Sequence, residues 1–455
     1  MTAKAMMNLS VFAMADTNYS RVGWRHPASF LDAGLNIERW IELARMLEAA
    51  KFDMLFVADQ LSAPGIDDKE AFCRSAYIAG FEPLTLHAAL SQVTEKLGLA
   101  ATVNTTWTEP YLTARNLASL DRISKGRAGW NLVTGRNQGD ALNFSKERHV
   151  EHADRYAMAE EFLDVCRGLW DSFDDDAFVL DKAGGQFVDP AKLHTLNHKG
   201  TYFSVKGPLN VPRPYQGHPV IVQAGMSEPA RELSARAVDC LFCAFPTIDK
   251  AQAFYADVKG RMAQYGRQAD ELKILPGISV FVADTVEEAE AKLDVLLERT
   301  PVDLAIRQLE ADLQMDFSGC SPDDPIPPLK PNPSYTDPES IVADARARNH
   351  NLGQFARRFS VSKIYYTLVG TPDTVADGMA QWFHGGAADG FNLLPQYVPG
   401  TLQDFIEKVI PRLQERGLFR TEYEGSTLRE HLGLARPADR SVAVIRQGAV
   451  STAEC

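Results

Sequence analysis

Nowhere in these 455 residues does an uninterrupted apolar run approach the ~20 residues needed to cross a bilayer as a helix. The opening stretch, Met1-Thr-Ala-Lys-Ala-Met-Met-Asn8, lacks the apolar core and cleavage site of a signal peptide, so a cytoplasmic location is the expectation. No cluster of Lys and Arg stands out either. With 47 basic against 60 acidic residues and a net charge of -13, neither nucleic acid nor an anionic membrane is a natural partner. Cysteine is scarce: Cys73, Cys166, Cys240, Cys243, Cys320 and Cys455 are too dispersed for a disulfide framework. Cys455 is the last residue, whereas prenylation needs the cysteine fourth from the end. Cys240 and Cys243 form a C-x-x-C, but no second ligand pair is spaced to complete a zinc site. They lie in Val238-Asp-Cys-Leu-Phe-Cys-Ala-Phe245, which reads as a buried strand. Residues three apart on a strand face opposite ways, so the pair reads as two structural thiols. Absent too are H-E-x-x-H, a P-loop, G-x-G-x-x-G and any Ser-His-Asp or Cys-His arrangement. Chemistry borrowed from a cofactor fits that silence.

What is present is a repeat of strand, loop and helix. Met7–Met14 reads as a first strand; Asn36 then caps a helix whose stripe is Ile37, Ile41, Ala44 and Leu47. Strands follow at Phe52–Ala58, Leu99–Val103, Ala128–Val133, Val220–Ala224, Leu241–Phe245, Ile274–Val282 and Gly390–Leu394. Helices are expected at Leu84–Leu97, Tyr111–Leu120, from Met158 to Leu169, after Ser227, up to Tyr265, at Thr374–Phe383 and at Leu402–Arg416. Nearly all the strands are continuous apolar runs rather than alternating ones, which means burial on both faces and hence a parallel sheet. Eight such units favour an α/β fold of the TIM (β/α)8 type over an open sheet. The expected organisation is a single barrel over residues 1–434, with insertions at about 171–217 and 285–359, and a C-terminal tail at 435–455. The first insertion is polar and includes a hairpin. The second contains helices and the proline-dense stretch Pro322–Pro338, and reads as a mobile lid over the C-terminal mouth.

In a parallel barrel, chemistry collects where strands end. Asp59 closes the run Leu55-Phe-Val-Ala-Asp59, as a site carboxylate or as a plain cap or ion-pair partner. Thr102, Asn104 and Thr106 share one face of the next strand and its exit, followed by Trp107. Asn131 is an amide in an otherwise apolar strand and needs a hydrogen-bond partner. Thr134 lies just past that strand's end. His149 and His152 are three apart, yet no third ligand matches them, so no metal is expected. An imidazole at position 152 and the phenol of Tyr156, one helical turn on, suit a phosphate better. In Gln223-Ala-Gly-Met-Ser227 a strand turns into a helix: Gly225 allows close backbone approach, Met226 follows, and Ser227 is expected to cap. Free N–H groups there make an anion site. Phe12 ends the first strand. Trp24 and His26 in Trp24-Arg-His-Pro27 read either as substrate-cavity lining or as a packed loop.

Several stretches together resemble the flavin-dependent monooxygenases related to bacterial luciferase, in the branch with nitrilotriacetate, EDTA, dimethylsulfide and dibenzothiophene-sulfone monooxygenases. The resemblance rests on Lys51-Phe-Asp-Met-Leu-Phe-Val-Ala-Asp59, Arg127-Ala-Gly-Trp-Asn-Leu-Val-Thr134 and His152-Ala-Asp-Arg-Tyr-Ala-Met-Ala-Glu-Glu-Phe162. It continues in Gly207-Pro-Leu-Asn-Val-Pro212, Val222-Gln-Ala-Gly-Met-Ser227, Ala387-Ala-Asp-Gly-Phe391 and Glu422-Tyr-Glu-Gly-Ser-Thr-Leu-Arg-Glu-His-Leu-Gly433. It implies a homo-oligomeric flavoprotein (dimer or tetramer) that receives reduced FMN from a separate NAD(P)H-dependent flavin reductase. It further implies reaction with O2 through a flavin (hydro)peroxide to oxygenate a small sulfur, amine or halogenated compound. By the resemblance Asp59, Thr102, His152, Tyr156 and Ser227 contact the flavin, Tyr156 and Ser227 at the phosphate with His152 assisting. Asn131, Thr134, Gly225 and Met226 join them on position. Phe12 and Trp107, with Trp24 and His26, are candidates for the substrate side, where water must be excluded. No general acid or base is assigned. A deazaflavin-dependent barrel oxidoreductase and a non-catalytic flavin carrier are the competing readings.

Overall fold

The computed structural model describes residues 6–63, 65–135, 137–331 and 339–439. Nine parallel-paired strands form the main sheet: β1 (Asn8–Ala13), β2 (Met54–Val57), β3 (Gly98–Asn104), β4 (Ala128–Val133), β5 (Val220–Ala224), β6 (Cys240–Cys243), β7 (Lys273–Val282), β8 (Tyr366–Gly370) and β9 (Gly390–Leu393). Strands β1 to β7 pair in sequence order, β7 pairs with β9, and β9 returns to β1 with Asn8 opposite Gly390. The sheet therefore closes on itself as an eight-stranded parallel barrel, the TIM architecture that the continuous apolar runs predict.

β8 is the strand that sequence patterning misses. It pairs with the upper half of β7, Tyr366 opposite Ile278 through Gly370 opposite Val282, while β6 holds the lower half of the same edge. β7 is thus long enough to serve two partners. Other elements differ in extent. The helix expected at Leu84–Leu97 is Pro83–Leu90. That expected at Leu402–Arg416 is two segments, Gly400–Lys408 and Ile410–Glu415, because Pro411 offers no N–H to continue the first.

Strand side chains alternate between two destinations. One set points inward: Met54, Phe56, Ala100, Val220, Val222, Cys240, Phe242 and Leu275 pack in the barrel's centre with Phe12 against them. The other set, including Leu9, Leu55, Leu99, Trp130 and Ile221, packs under the surrounding helices. Cys240 belongs to the inner set and Cys243 to the outer, opposite faces as the spacing requires; both are buried free thiols.

Beneath the barrel, polar side chains tie the strand starts together. Arg127, 3 % exposed, donates to the carbonyls of Ser124, Leu97, Ser91 and Thr94 and to Thr94 Oγ1, all within 2.9 Å. Asp239 at the start of β6 is paired with Arg429 at 2.9 Å, and that guanidinium with its neighbours holds the carboxyl below its ordinary range in spite of burial.

The stretch between Trp170 and β5 holds the short hairpin His198–Lys199 with Ser204–Val205. Between β7 and β8, helices Val302–Leu313, Glu339–Ala347 and Leu352–Ser362 enclose a small core of their own, including Leu309, Phe317, Leu352 and Phe355. Arg74 and Asp303 (2.7 Å) and Asp68 and Arg307 join this region to the loop after β2. Part of the proline-dense stretch, residues 332–338, lies outside the described residues. Of the expected tail, residues 435–439 are held: Arg436 pairs with Asp175, and the carbonyls of Pro437 and Ala438 accept from Arg213. Residues 440–455 lie outside the described residues. Among the described residues, no helix is long and apolar enough to cross a membrane.

Candidate active site

The parallel register brings Thr102 on β3 beside Asn131 on β4. Thr102 Oγ1 donates to the Val57 carbonyl (2.7 Å) and accepts from Asn131 Nδ2 (2.9 Å). Asn131 Oδ1 is buried without a partner, an acceptor left available at the upper end of the barrel interior. Just above, Asn104 Oδ1 accepts from the Thr106 N–H (2.8 Å) and Thr106 Oγ1 donates to the Thr134 carbonyl (2.7 Å). Thr134 enters this network through its backbone. Thr102 and Asn104 share a strand face; Thr106 lies past the strand and serves the turn.

A second group forms where β5 meets its helix. Tyr156, on the helix His152–Trp170, has its phenol beside the Ser227 side chain. Burial raises the Tyr156 pKa, and the neighbouring Ser227 hydroxyl opposes that rise. The exposed His152 ring stands 5.2 Å from the Tyr156 ring, centre to centre. A Cβ added to Gly225 would lie 2.9 Å from Ala230 Cβ and 3.4 Å from the Tyr156 phenol oxygen, so only glycine leaves this turn unobstructed. Met226 is anchored on both sides: its sulfur accepts from the Ala244 N–H (3.4 Å) and its carbonyl from Arg231 Nε (3.0 Å).

Ser227 corrects one expectation. It occupies the N-cap position of the helix Glu228–Ala237, yet its hydroxyl makes no capping bond. The side chain lies beside the Tyr156 phenol, and the N–H groups of the first turn are without a side-chain acceptor.

Asp59 sits at the exit of β2, open to water but walled by protein. Burial, with the nearby Glu82 and Asp140 carboxylates, raises its pKa to about 6. Asp140, itself buried, is held by Ser62 Oγ at 2.6 Å. Sequence reading did not single out Asp140, nor Arg155, which lies within the quoted motif. Arg155 donates to the Gly135 carbonyl, keeps a buried Nε without a partner, and burial lowers its pKa.

Phe12 forms the aromatic floor of the mouth. Its ring stacks on Phe242 (5.3 Å) and meets Phe56 (5.0 Å) and Tyr19 (6.0 Å) edge-on; Tyr365, just before β8, stacks on Phe242 at 5.7 Å. Beside it lies another group that sequence reading missed. Asp16 is 4 % exposed, accepts from Asn18 Nδ2 (2.9 Å), has a partnerless Oδ1, and burial raises its pKa to about 7. No motif announces it. Trp107 stacks on Phe144 (5.7 Å) and meets His149 edge-on (4.9 Å). His26 has the contacts of a packed loop: it stacks on Tyr397 at 3.6 Å and its Nδ1 accepts from the Ala28 N–H (3.1 Å), while the Trp24 indole N–H is buried without a partner.

This constellation at the C-terminal mouth of a parallel barrel is the layout of a barrel enzyme. The model of the luciferase-like monooxygenase family matches residues 17–389, and the chain belongs to that family. It is 46% identical over 450 residues to nitrilotriacetate monooxygenase component A of Aminobacter aminovorans, covering 96% of this chain and 98% of that one. It is 43% identical over 441 residues to N-acetyl-S-(2-succino)cysteine monooxygenase of Bacillus subtilis (strain 168), with the same two coverages. Among solved structures, riboflavin lyase RcaE with modified FMN and riboflavin is similar at a TM-score of 0.82 and 32% identity, over 96% of this chain and 98% of that chain. The protein is a monooxygenase of the luciferase-like class.

Proposed function

We propose that the enzyme is the oxygenating component of a two-component system, using reduced FMN delivered by a separate NAD(P)H-dependent flavin reductase. The observation that carries this reading is the Tyr156–Ser227 pair beside the Gly225 turn. Two hydroxyls, an unobstructed turn and the uncapped start of the helix Glu228–Ala237 suit a phosphate dianion. Tyr156, Ser227 and the first-turn N–H groups hold that phosphate, with His152 beside it and Gly225 and Met226 shaping the turn. Thr102, Asn131, Thr134 and Asp59 line the ribityl chain and ring; the partnerless Asn131 Oδ1 takes an N–H or O–H from the coenzyme. Bound reduced FMN supplies the electrons that activate O2 for transfer of one oxygen atom to a small organic substrate. The protein's own share is to orient both molecules and keep water out, and the stacked Phe12, Phe242 and Tyr365 rings make a dry wall. The related protein's name, "component A", supports a division of labour between two chains.

The test is anaerobic titration with photoreduced FMN and, separately, a reduced deazaflavin, followed by turnover under 18O2 with a generic flavin reductase. Tighter binding of FMN and a product heavier by one 18O are the expected results. Preference for the deazaflavin, or oxygen drawn from water, overturns the proposal.

A further inference from the structure

Flanking the mouth, the loop Thr106–Glu109 and the segment Phe144–Val150 bound a cleft of about 600 Å3. Its lining is of two kinds. Trp107, Phe144 and Met158 are flat or flexible apolar surfaces, with Trp107 and Phe144 stacked. Lys146, Arg148 and His149 are basic. Glu109 is the one carboxylate in the lining, and neither Lys146 nor Arg148 has an ion-pair partner among the described residues. In a chain of net charge -13, two unpaired cations on one cleft are a local reversal of the field.

Two further features point to a polar ligand. The Trp107 indole N–H and His149 Nε2 are both buried without a partner, in side chains that line the cleft. His149 Nδ1 lies 3.1 Å from the Val150 carbonyl, and with the proton on that nitrogen Nε2 is left to accept from a ligand. The cleft also adjoins the polar network at the exit of β3. A Cβ on Gly135 would approach both Asn104 Nδ2 (2.5 Å) and His149 Nε2 (3.2 Å), so one glycine separates them.

We infer that this cleft seats the charged end of the substrate, and that the substrate is a small organic acid carrying two or more carboxylates on a nitrogen or sulfur centre. This rests on the monooxygenase reading for the position of the reacting atom, though not for the binding itself. Lys146 and Arg148 take separate carboxylates, the Trp107–Phe144 surface takes the methylene groups between them, and the heteroatom points past Gly135 to the mouth. Two relatives at 46% and 43% identity are named for acids of this kind.

The test is titration calorimetry on the flavin-free protein with nitrilotriacetate, its trimethyl ester and inorganic phosphate as probes, in wild type and in a Lys146→Gln/Arg148→Gln variant. Both side chains are exposed, so the variant should fold. The acid should bind, the ester should not, and the variant should lose about tenfold or more in affinity while its FMN affinity stays within about twofold of wild type. Equal binding of acid and ester, or an unchanged variant, overturns the inference. Phosphate that binds as tightly as the acid and is displaced by FMN reassigns the cleft to the coenzyme and also overturns it. Acid binding without FMN binding upholds the cleft and sinks the flavin reading instead.

Discussion

Replacing Tyr156 by Phe removes one oxygen and leaves the ring in its packing, so its effect on coenzyme affinity can be worked from the structure. In the free protein the phenol has the neutral Ser227 hydroxyl as its neighbour, a pair that contributes at most about 0.5–1.5 kcal/mol. With a phosphate bound, the same phenol donates to a charged oxygen, an interaction of about 1.5–3 kcal/mol. The variant loses the second but never had the first, so the net cost to binding is about 1–2 kcal/mol, or roughly 5- to 30-fold in Kd. Adding Ser227→Ala should raise the total toward about 3 kcal/mol and less than additively, since the two hydroxyls are coupled in the free state. Quenching of FMN fluorescence gives the dissociation constants. Riboflavin, which has no phosphate, is the internal control and should bind all variants alike. An unchanged FMN constant for Tyr156→Phe, or an equal loss for riboflavin, refutes the phosphate assignment.

Three more outcomes follow from the geometry. Gly225→Ala puts a methyl 2.9 Å from Ala230 Cβ, so the helix start must shift; FMN affinity should fall about tenfold, read by the same quenching assay. Arg127→Met strips one donor set from four carbonyls and a hydroxyl beneath the barrel; urea unfolding should show a loss of about 3 kcal/mol or more, with KM unchanged below the transition. Asp16→Asn tests a pH sign. Unfolded Asp16 ionises near 3.8, whereas burial keeps the folded carboxyl protonated to about 7. Unfolding therefore releases a proton across that window, and stability falls as pH rises through it. The variant should melt with wild type near pH 4 and above it at pH 8, as thermal scans at the two values will tell.

Much of the barrel was legible because burial leaves a local signature. A strand covered on both faces must be apolar at every position, so Leu55-Phe-Val and Leu99-Ala-Ala announce themselves without any knowledge of their neighbours. β8 escaped because Tyr366, Thr367 and Val369 are only half-buried; it exists to extend an edge of β7 that nothing in its own residues reveals. The candidate site was legible in part for the same reason. Asn131 stood out as an amide in an apolar run, and its partner Thr102 follows from register. Ser227 was visible as a residue before a helix, but its hydroxyl had two possible employments, and the sequence favoured the local one. Asp16 and Asp140 gave no signal, because a carboxylate on a loop is ordinary until something buries it.

Two kinds of information met in this molecule. The order of strands and helices, their parallel sense and the polar residues at strand exits were determined by the chain alone, since each depends on spacings of a few residues and on the hydrophobic effect acting locally. Which side chains touch was decided only by closure of the sheet. Pairing β9 with β1 and staggering β3 to β5 around a curved wall sets Tyr156 against Ser227 and Trp107 against His149. Those contacts join segments distant in sequence, and hydrogen bonds of a few kilocalories choose among local alternatives only once the packed barrel has fixed who is within reach.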